Sequence, residues 1–182
     1  NTVRVDICYA VNLLSQFVVS ARKTHLNAAY KVFHYLIHTK DLGIVYGKQS
    51  TLEFKDFRLL DKTKNKSDVA THDYPADSEF MVTTLSDSDW AKNQSDRKSQ
   101  SGHCVFINNQ LVSWSSRKQN CVSLSSTEAE YVALSSAARS SLYFRNLLNE
   151  IGYDCSYINL AGDNFGSLTL GSHKSVHQKT KP

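Results

Sequence analysis

"CVSLSSTEAEYVALSSAARSSLYFRNLLNEIG", residues 121–152, carries the reading of the fold. Its apolar spacing predicts one long helix. At the helical turn angle Ala133, Leu134, Ala137, Phe144, Leu148 and Ile151 share a face. Glu130 falls within that face, in line with Leu148, whereas Glu128 points nearly the opposite way. A carboxylate aimed at a core edge needs a donor, a base or a metal. Thr127 precedes Glu130 by three, the spacing of a capping box, so a reach back to the helix start is the alternative explanation.

The neighbouring segments turn this helix into an α/β domain. Upstream, "FMVTTLSDSDW" (80–90) is strand-like and breaks at a run of acids. "GHCVFI" and "QLVSW" read as two strands joined through "NNQ", because Asn tolerates positive φ in a tight hairpin. "NCVSLS" (120–125) extends or follows the second of them. Downstream, "SYINLAGDN" (156–164) is a strand ending in Asp-Asn, and "FGSLTLG" (165–171) is a weak helix start. Strands, helix, strand, helix predict a mixed sheet flanked by helices.

Ahead of this domain the pattern differs. Ile7, Ala10, Val11 and Leu14 predict one amphipathic helix, and Ala29, Val32, Phe33 and Leu36 a second. "SARKTH" (20–25) is the turn between them, and "LGIVYG" (42–47) reads as a short strand. Residues 61–79 are polar and nearly free of large apolar groups, the composition of a linker or of a long surface hairpin. The expected organisation is a small helical appendage over 1–60, a linker over 61–79 and an α/β domain over 80–182.

The whole chain has 182 residues, 41% of them hydrophobic, which supports a real core. A net charge of +4 and a pI near 8.8 permit a polyanionic partner without establishing one. Four scattered cysteines with no CxxC pair read as free thiols. No apolar run is long enough to span a membrane. Both ends read as cut from a longer polypeptide.

Two more carboxylates share the setting of Glu130: Asp87 ends one predicted strand and Asp163 another. Acids at strand ends are commonly turn residues. Brought together, the three would repel and raise one another's pKa, a penalty that a divalent cation removes. Oxygen-only ligands favour Mg²⁺ or Mn²⁺ over zinc, and two such ions about 4 Å apart suit phosphoryl transfer. Arg97, Lys98, Arg117 and Lys118, expected in loops around the hairpin, are candidate phosphate contacts, or else a solubilising face. His34 and His38 share a zinc-compatible spacing on one helix but lack further ligands, and His173 and His177 repeat that spacing. Trp90 and Trp114 read as core or edge aromatics.

The stretch "SDSDWAKNQSDRKSQSGHCVFINNQLVSWSSRKQNCVSLSSTEAEYVALSSAAR", residues 86–139, resembles the ribonuclease H domain of copia-type LTR retrotransposon polyproteins. The likeness lies in its Asp-x-Asp-Trp-Ala run, its Ser-Gly before a strand, its Ser-Trp-Ser-Ser-x-Lys-Gln segment and its Leu-Ser-Ser-Thr-Glu-Ala-Glu-Tyr. "GDN" at 162–164 is similar to the family's third acidic position. "DICYAVNLLSQF" and "HLNAAYKVFHYLIHTKDLGIVYG" resemble the end of the reverse transcriptase in the same polyproteins.

The resemblance implies a five-stranded mixed sheet flanked by helices. It implies Mg²⁺-dependent endonucleolytic cleavage of RNA in RNA–DNA hybrids, with Asp87, Glu130 and Asp163 as catalytic metal ligands. It further implies the rest of the Pol polyprotein, reverse transcriptase and integrase, as partners, and a cytoplasmic virus-like particle or the nucleus as location. The family's fourth acid follows a segment matched by "HQKTKP" (177–182), so it is expected beyond Pro182. Val5 and Ala21 stand where the family often has proline, and "GDNFGS" departs after Asp-Asn. These departures motivate the alternative reading, a catalytically inactive remnant that at most binds nucleic acid.

Overall fold

The computed structural model describes residues 3–47, 58–59, 80–93 and 95–163. The linker expected over 61–79, the helix start at 165–171, His173, His177 and the "HQKTKP" segment all lie outside the described residues. The chain divides into two compact units, 1–48 and 49–182.

The first unit is a helical hairpin. A 3-10 turn, Val5–Ile7, leads into α1, Cys8–Ser15, and α2 follows over Lys23–His38. Ile7, Ala10 and Leu14 are half-buried as their spacing predicts, but Val11 is exposed. On α2 the half-buried stripe is Ala28, Ala29, Val32 and Leu36, whereas Phe33 is exposed. Arg4 ties the two ends of the hairpin together. Its guanidinium donates to Asp6 at 2.7 and 2.9 Å, to the Thr39 carbonyl at 3.0 Å and to Thr39 Oγ1 at 2.7 Å. That guanidinium holds the Asp6 carboxyl below the usual carboxylate range. The strand expected over 42–47 is not formed. Its apolar residues have strand propensity, but a strand needs a hydrogen-bonded neighbour, and β propensity alone does not supply one.

The second unit is built on a five-stranded sheet. Its strands are β1 (Arg58–Leu59), β2 (Val82–Asp89), β3 (Gln100–Ile107), β4 (Gln110–Lys118) and β5 (Ile158–Gly162), in the order β1-β5-β2-β3-β4. β2, β3 and β4 form an antiparallel meander, β5 runs parallel to β2, and β1 closes the far edge antiparallel to β5. The mixed sheet with its long helix is the ribonuclease H-like α/β arrangement. The "NNQ" reading holds: Asn108 and Asn109 take φ of 46° and 64°, the left-handed pair that a two-residue hairpin requires. Residues 120–125 are not strand; they lead from β4 into the helix. Arg58 and Leu59, assigned by composition to the segment before the linker, pair with Gly162 and Ala161. Edge pairing of so short a strand leaves no period to read.

The predicted helix is α3, Ser126–Glu150. Its buried residues are Ala129, Glu130, Ala133, Leu134, Ala137, Ser141 and Leu148. Ile151 lies past the helix end and is exposed. Three alanines on the buried face let the helix backbone approach the sheet closely. Ser141 Oγ, itself buried, donates to Thr84 Oγ1 at 2.7 Å and so fixes the helix along β2. The core gathers Val82, Val105, Leu148 and Cys155, with Phe144 and Ile158 against it. Cys8, Cys104, Cys121 and Cys155 are all free thiols. No described helix is long and apolar enough to cross a membrane. Replacing Ala137 by Leu is expected to overpack the helix–sheet contact and cost about 1–3 kcal/mol of stability, read as a lowered denaturation midpoint with an unchanged slope.

Candidate active site

β2 carries Asp87 near its C-terminal end. The parallel register pairs Ser86 with Gly162, so the next residue on each strand, Asp87 and Asp163, emerges side by side at one end of the sheet. Glu130 comes to the same end from the second turn of α3. The carboxylates of Asp87, Glu130 and Asp163 offer oxygens that all lie within 4.8 Å of one another. Among the described residues this is the one group of three such side chains close enough to hold a metal ion. Sequence alone leaves the two aspartates open as turn residues; the register makes them neighbours.

The helix start resolves the capping alternative for Glu130. The N-cap is Ser125, whose hydroxyl accepts from the Glu128 N–H at 3.1 Å, and Glu128 Oε2 accepts from the Leu124 N–H at 2.6 Å. The capping exchange belongs to Ser125 and Glu128, two residues earlier than the Thr127 spacing suggests. Glu130 is thereby released from the helix end. It is only 8% exposed, and its Oε1 accepts from the Ser88 N–H at 3.1 Å.

The electrostatics are those of crowded acids. Burial pushes Glu130 up from 4.5 to about 7, with the Asp87 and Asp163 charges adding to it and the Ser88 hydrogen bond opposing. Burial, then the Asp163 charge, raises Asp87 as well. Asp87 and Asp163 are exposed while Glu130 is buried, so the cluster has a closed floor and an open mouth. The hydroxyls of Ser86 and Ser88, the residues on either side of Asp87, are buried with no hydrogen-bond partner among the described residues. The donor set is all carboxylate oxygen, which fits Mg²⁺ or Mn²⁺.

The four basic candidates reach this same end of the sheet by a different route from the one expected. Arg97 and Lys98 lie in the connection before β3, but Arg117 and Lys118 belong to strand β4 rather than a loop. Lys118 pairs with Gln100 and Gln100 with Asp89, which sets all four beside the acids' end of β2. Lys118 is engaged by Asp96 at 2.7 Å, while Arg97 and Arg117 are exposed. His38 Nδ1 lies 2.7 Å from the His34 carbonyl oxygen, a local helix contact.

Sequence reasoning missed a group of buried polar side chains at the base of the site. Gln119 Nε2 donates to the Ala129 carbonyl at 2.9 Å and to Ser101 Oγ at 2.8 Å. Its Oε1 accepts from Ser123 Oγ at 3.0 Å. These contacts join β3, the loop before α3 and α3 itself. The signal in the sequence is slight: serines cluster around Gln119 over 115–126, with no spacing that announces a shared network.

No family model matches the chain, and no solved structure matches it. Curated relatives do. The chain is 32% identical over 98% of its length to the retrovirus-related Pol polyprotein from transposon RE2 of Arabidopsis thaliana, and 25% identical over 98% to that from transposon TNT 1-94 of Nicotiana tabacum. It spans about a tenth of the length of these polyproteins, 10% and 11% respectively. It is also 32% identical to the secreted RxLR effector protein 161 of Plasmopara viticola, over 77% of this chain and 79% of that protein. Over nearly its whole length the chain is thus similar to one segment of retrovirus-related transposon Pol polyproteins.

Proposed function

We propose that this chain is the ribonuclease H segment of a copia-type retrotransposon Pol polyprotein and hydrolyses the RNA strand of RNA–DNA hybrids. The observation that carries the reading is the convergence of Asp87, Glu130 and Asp163 on an open mouth at one sheet end. Burial, with the Asp87 and Asp163 charges adding to it, raises Glu130 to about 7, which is a poor resting arrangement and suits a cation. Residues 1–60 would be the end of the reverse transcriptase. The rest of Pol, with its reverse transcriptase and integrase, would be the partner, in a cytoplasmic virus-like particle or the nucleus.

Asp87, Glu130 and Asp163 would hold two Mg²⁺. When bound, these ions supply an activated water and stabilise the charge on the leaving oxygen. The chain's own side chains do the rest. The Ser88 N–H fixes Glu130 through its Oε1. Glu130 gives up its proton on loading, so loading is coupled to pH. Arg97, Lys98 and Arg117 contact phosphates and hold the duplex across the mouth. Lys118 contributes less, since Asp96 already engages it. A hybrid with A-form character is read by shape and by its 2′-hydroxyls, so this recognition is independent of base sequence.

The test is a labelled RNA–DNA hybrid incubated with the purified chain in Mg²⁺ or in EDTA, beside duplex DNA and duplex RNA of the same sequence. Cleavage confined to the RNA of the hybrid and lost in EDTA is expected. A folded chain that leaves the hybrid intact in Mg²⁺ overturns the reading and favours the inactive remnant.

A further inference from the structure

Trp90 follows β2 directly, three residues after Asp87, and is 45% exposed. A large aromatic ring left open beside a charged site is unusual, and this one is held firmly. Its indole Nε1 donates to the Ser123 carbonyl at 3.0 Å. Ser123 is buried and bonded to Gln119, and Gln119 to the Ala129 carbonyl, one residue before Glu130. On the other side Ala91, buried at a left-handed φ of 49°, donates its N–H to the buried Ser99 Oγ at 3.0 Å. The Ser99 carbonyl in turn accepts from the Gln119 N–H at 2.8 Å. One buried polar network thus fixes the ring of Trp90, the strained turn behind it and the helix turn that carries Glu130.

Val122, 49% exposed, and Leu124, 81% exposed, flank the residue that receives the indole N–H. Exposed apolar groups thus accompany acids that call for a cation, in a unit that also exposes Arg97 and Arg117, which call for phosphate. A nucleic-acid strand has both an anionic backbone and apolar sugar and base faces, so it satisfies the whole surface at once. A purely anionic ligand would leave Trp90, Val122 and Leu124 uncovered.

Resting on the function proposed above, we infer that Trp90 is a positioning residue for the substrate: its ring packs against a sugar or base face of the bound nucleic acid and sets which phosphate lies over the carboxylates. Gln119 and Ser123 act through it by locking the ring. Removing the ring costs binding and also blurs the cleavage position, because register along the strand is no longer fixed.

The experiment uses Trp114→Phe in the full chain, which leaves Trp90 as the single tryptophan. A fluorophore-labelled hybrid is titrated in Ca²⁺, and its anisotropy and the indole emission are followed together. Emission that shifts and is quenched in step with anisotropy supports the inference. So does Trp90→Ala binding roughly tenfold more weakly, with Trp90→Phe retaining most of the affinity and both giving the wild-type circular dichroism spectrum. If Trp90→Ala does not fold, the emission change of the single-tryptophan protein and the affinity of Trp90→Phe decide. Hybrid bound at full anisotropy with unchanged indole emission overturns the inference and leaves the nuclease reading intact. Absence of any hybrid binding overturns both.

Discussion

Glu130→Gln is expected to abolish metal-dependent cleavage of the hybrid, by about 10³-fold or more, with the fold unchanged. The substitution keeps the size of the side chain and one carbonyl oxygen for the Ser88 N–H at 3.1 Å. What it removes is a negative charge at the floor of the cluster. Metal-supplied stabilisation of the transition state amounts to several kcal/mol, and about 4 kcal/mol corresponds to that factor in rate. Asp87→Asn and Asp163→Asn should act in the same direction, since each supplies an oxygen to the same group. Single-turnover cleavage at saturating protein reads the loss free of any binding effect. Near-wild-type turnover in any of the three would sink the assignment of that residue.

The same substitution should do the opposite to stability. Glu130 is buried and its carboxyl is raised from 4.5 to about 7 in the metal-free chain. Below about pH 4.5 it is protonated folded and unfolded, and contributes no pH dependence. Between about 4.5 and 7 the unfolded chain loses this proton while the folded chain keeps it, so folding stability falls as pH rises. Above about 7 the accumulated penalty is of order 3 kcal/mol, taking 1.36 kcal/mol for each unit. Glu130→Gln cannot ionise, so it should remove that slope and raise the metal-free midpoint at pH 8 while leaving it nearly unchanged at pH 4. Denaturant unfolding at the two pH values, in EDTA, measures this. Equal sensitivity to pH in wild type and variant would show that the carboxyl is not held out of water as its burial implies. If the three acids carry the proposed function, this penalty puts function and stability in tension.

Much of the fold is legible because its signals are local. The α3 face is periodic over many turns, so burial of Ala133, Leu134, Ala137 and Leu148 can be read from spacing, and Glu130 stands out against it. The Asn108-Asn109 turn is legible for the same reason: two residues with a special backbone requirement sit between two strands. What escapes is whatever depends on partners distant in sequence. That Asp87 and Asp163 are neighbours follows from the parallel pairing of Ser86 with Gly162, which no local pattern announces. The pairing of Arg58 and Leu59 with Gly162 and Ala161 is likewise unannounced, because its partners lie about a hundred residues away in sequence. The capping residue is misplaced by two because the opening "SLSST" (123–127) offers several equivalent hydroxyls, and only the geometry selects Ser125. The Gln119 network is invisible in sequence because its members belong to a strand, a loop and a helix.

The sheet order also sets the sequence in which the site can come into being. β2, β3 and β4 are joined by short connections and pair with chain neighbours, so they close small loops at little entropic cost. β5 reaches β2 only after the whole of β3, β4 and α3 has been laid down. Parallel pairing of that kind is the slow part of a topology. On that order Asp163 is expected to join after Asp87 and Glu130, carried in on β5, so that the mutual repulsion of all three acids is felt only when β5 docks. A chain emerging from the ribosome can settle its meander and helix with Asp87 and Glu130 in place, and the three carboxylates come together only once β5 has closed beside β2.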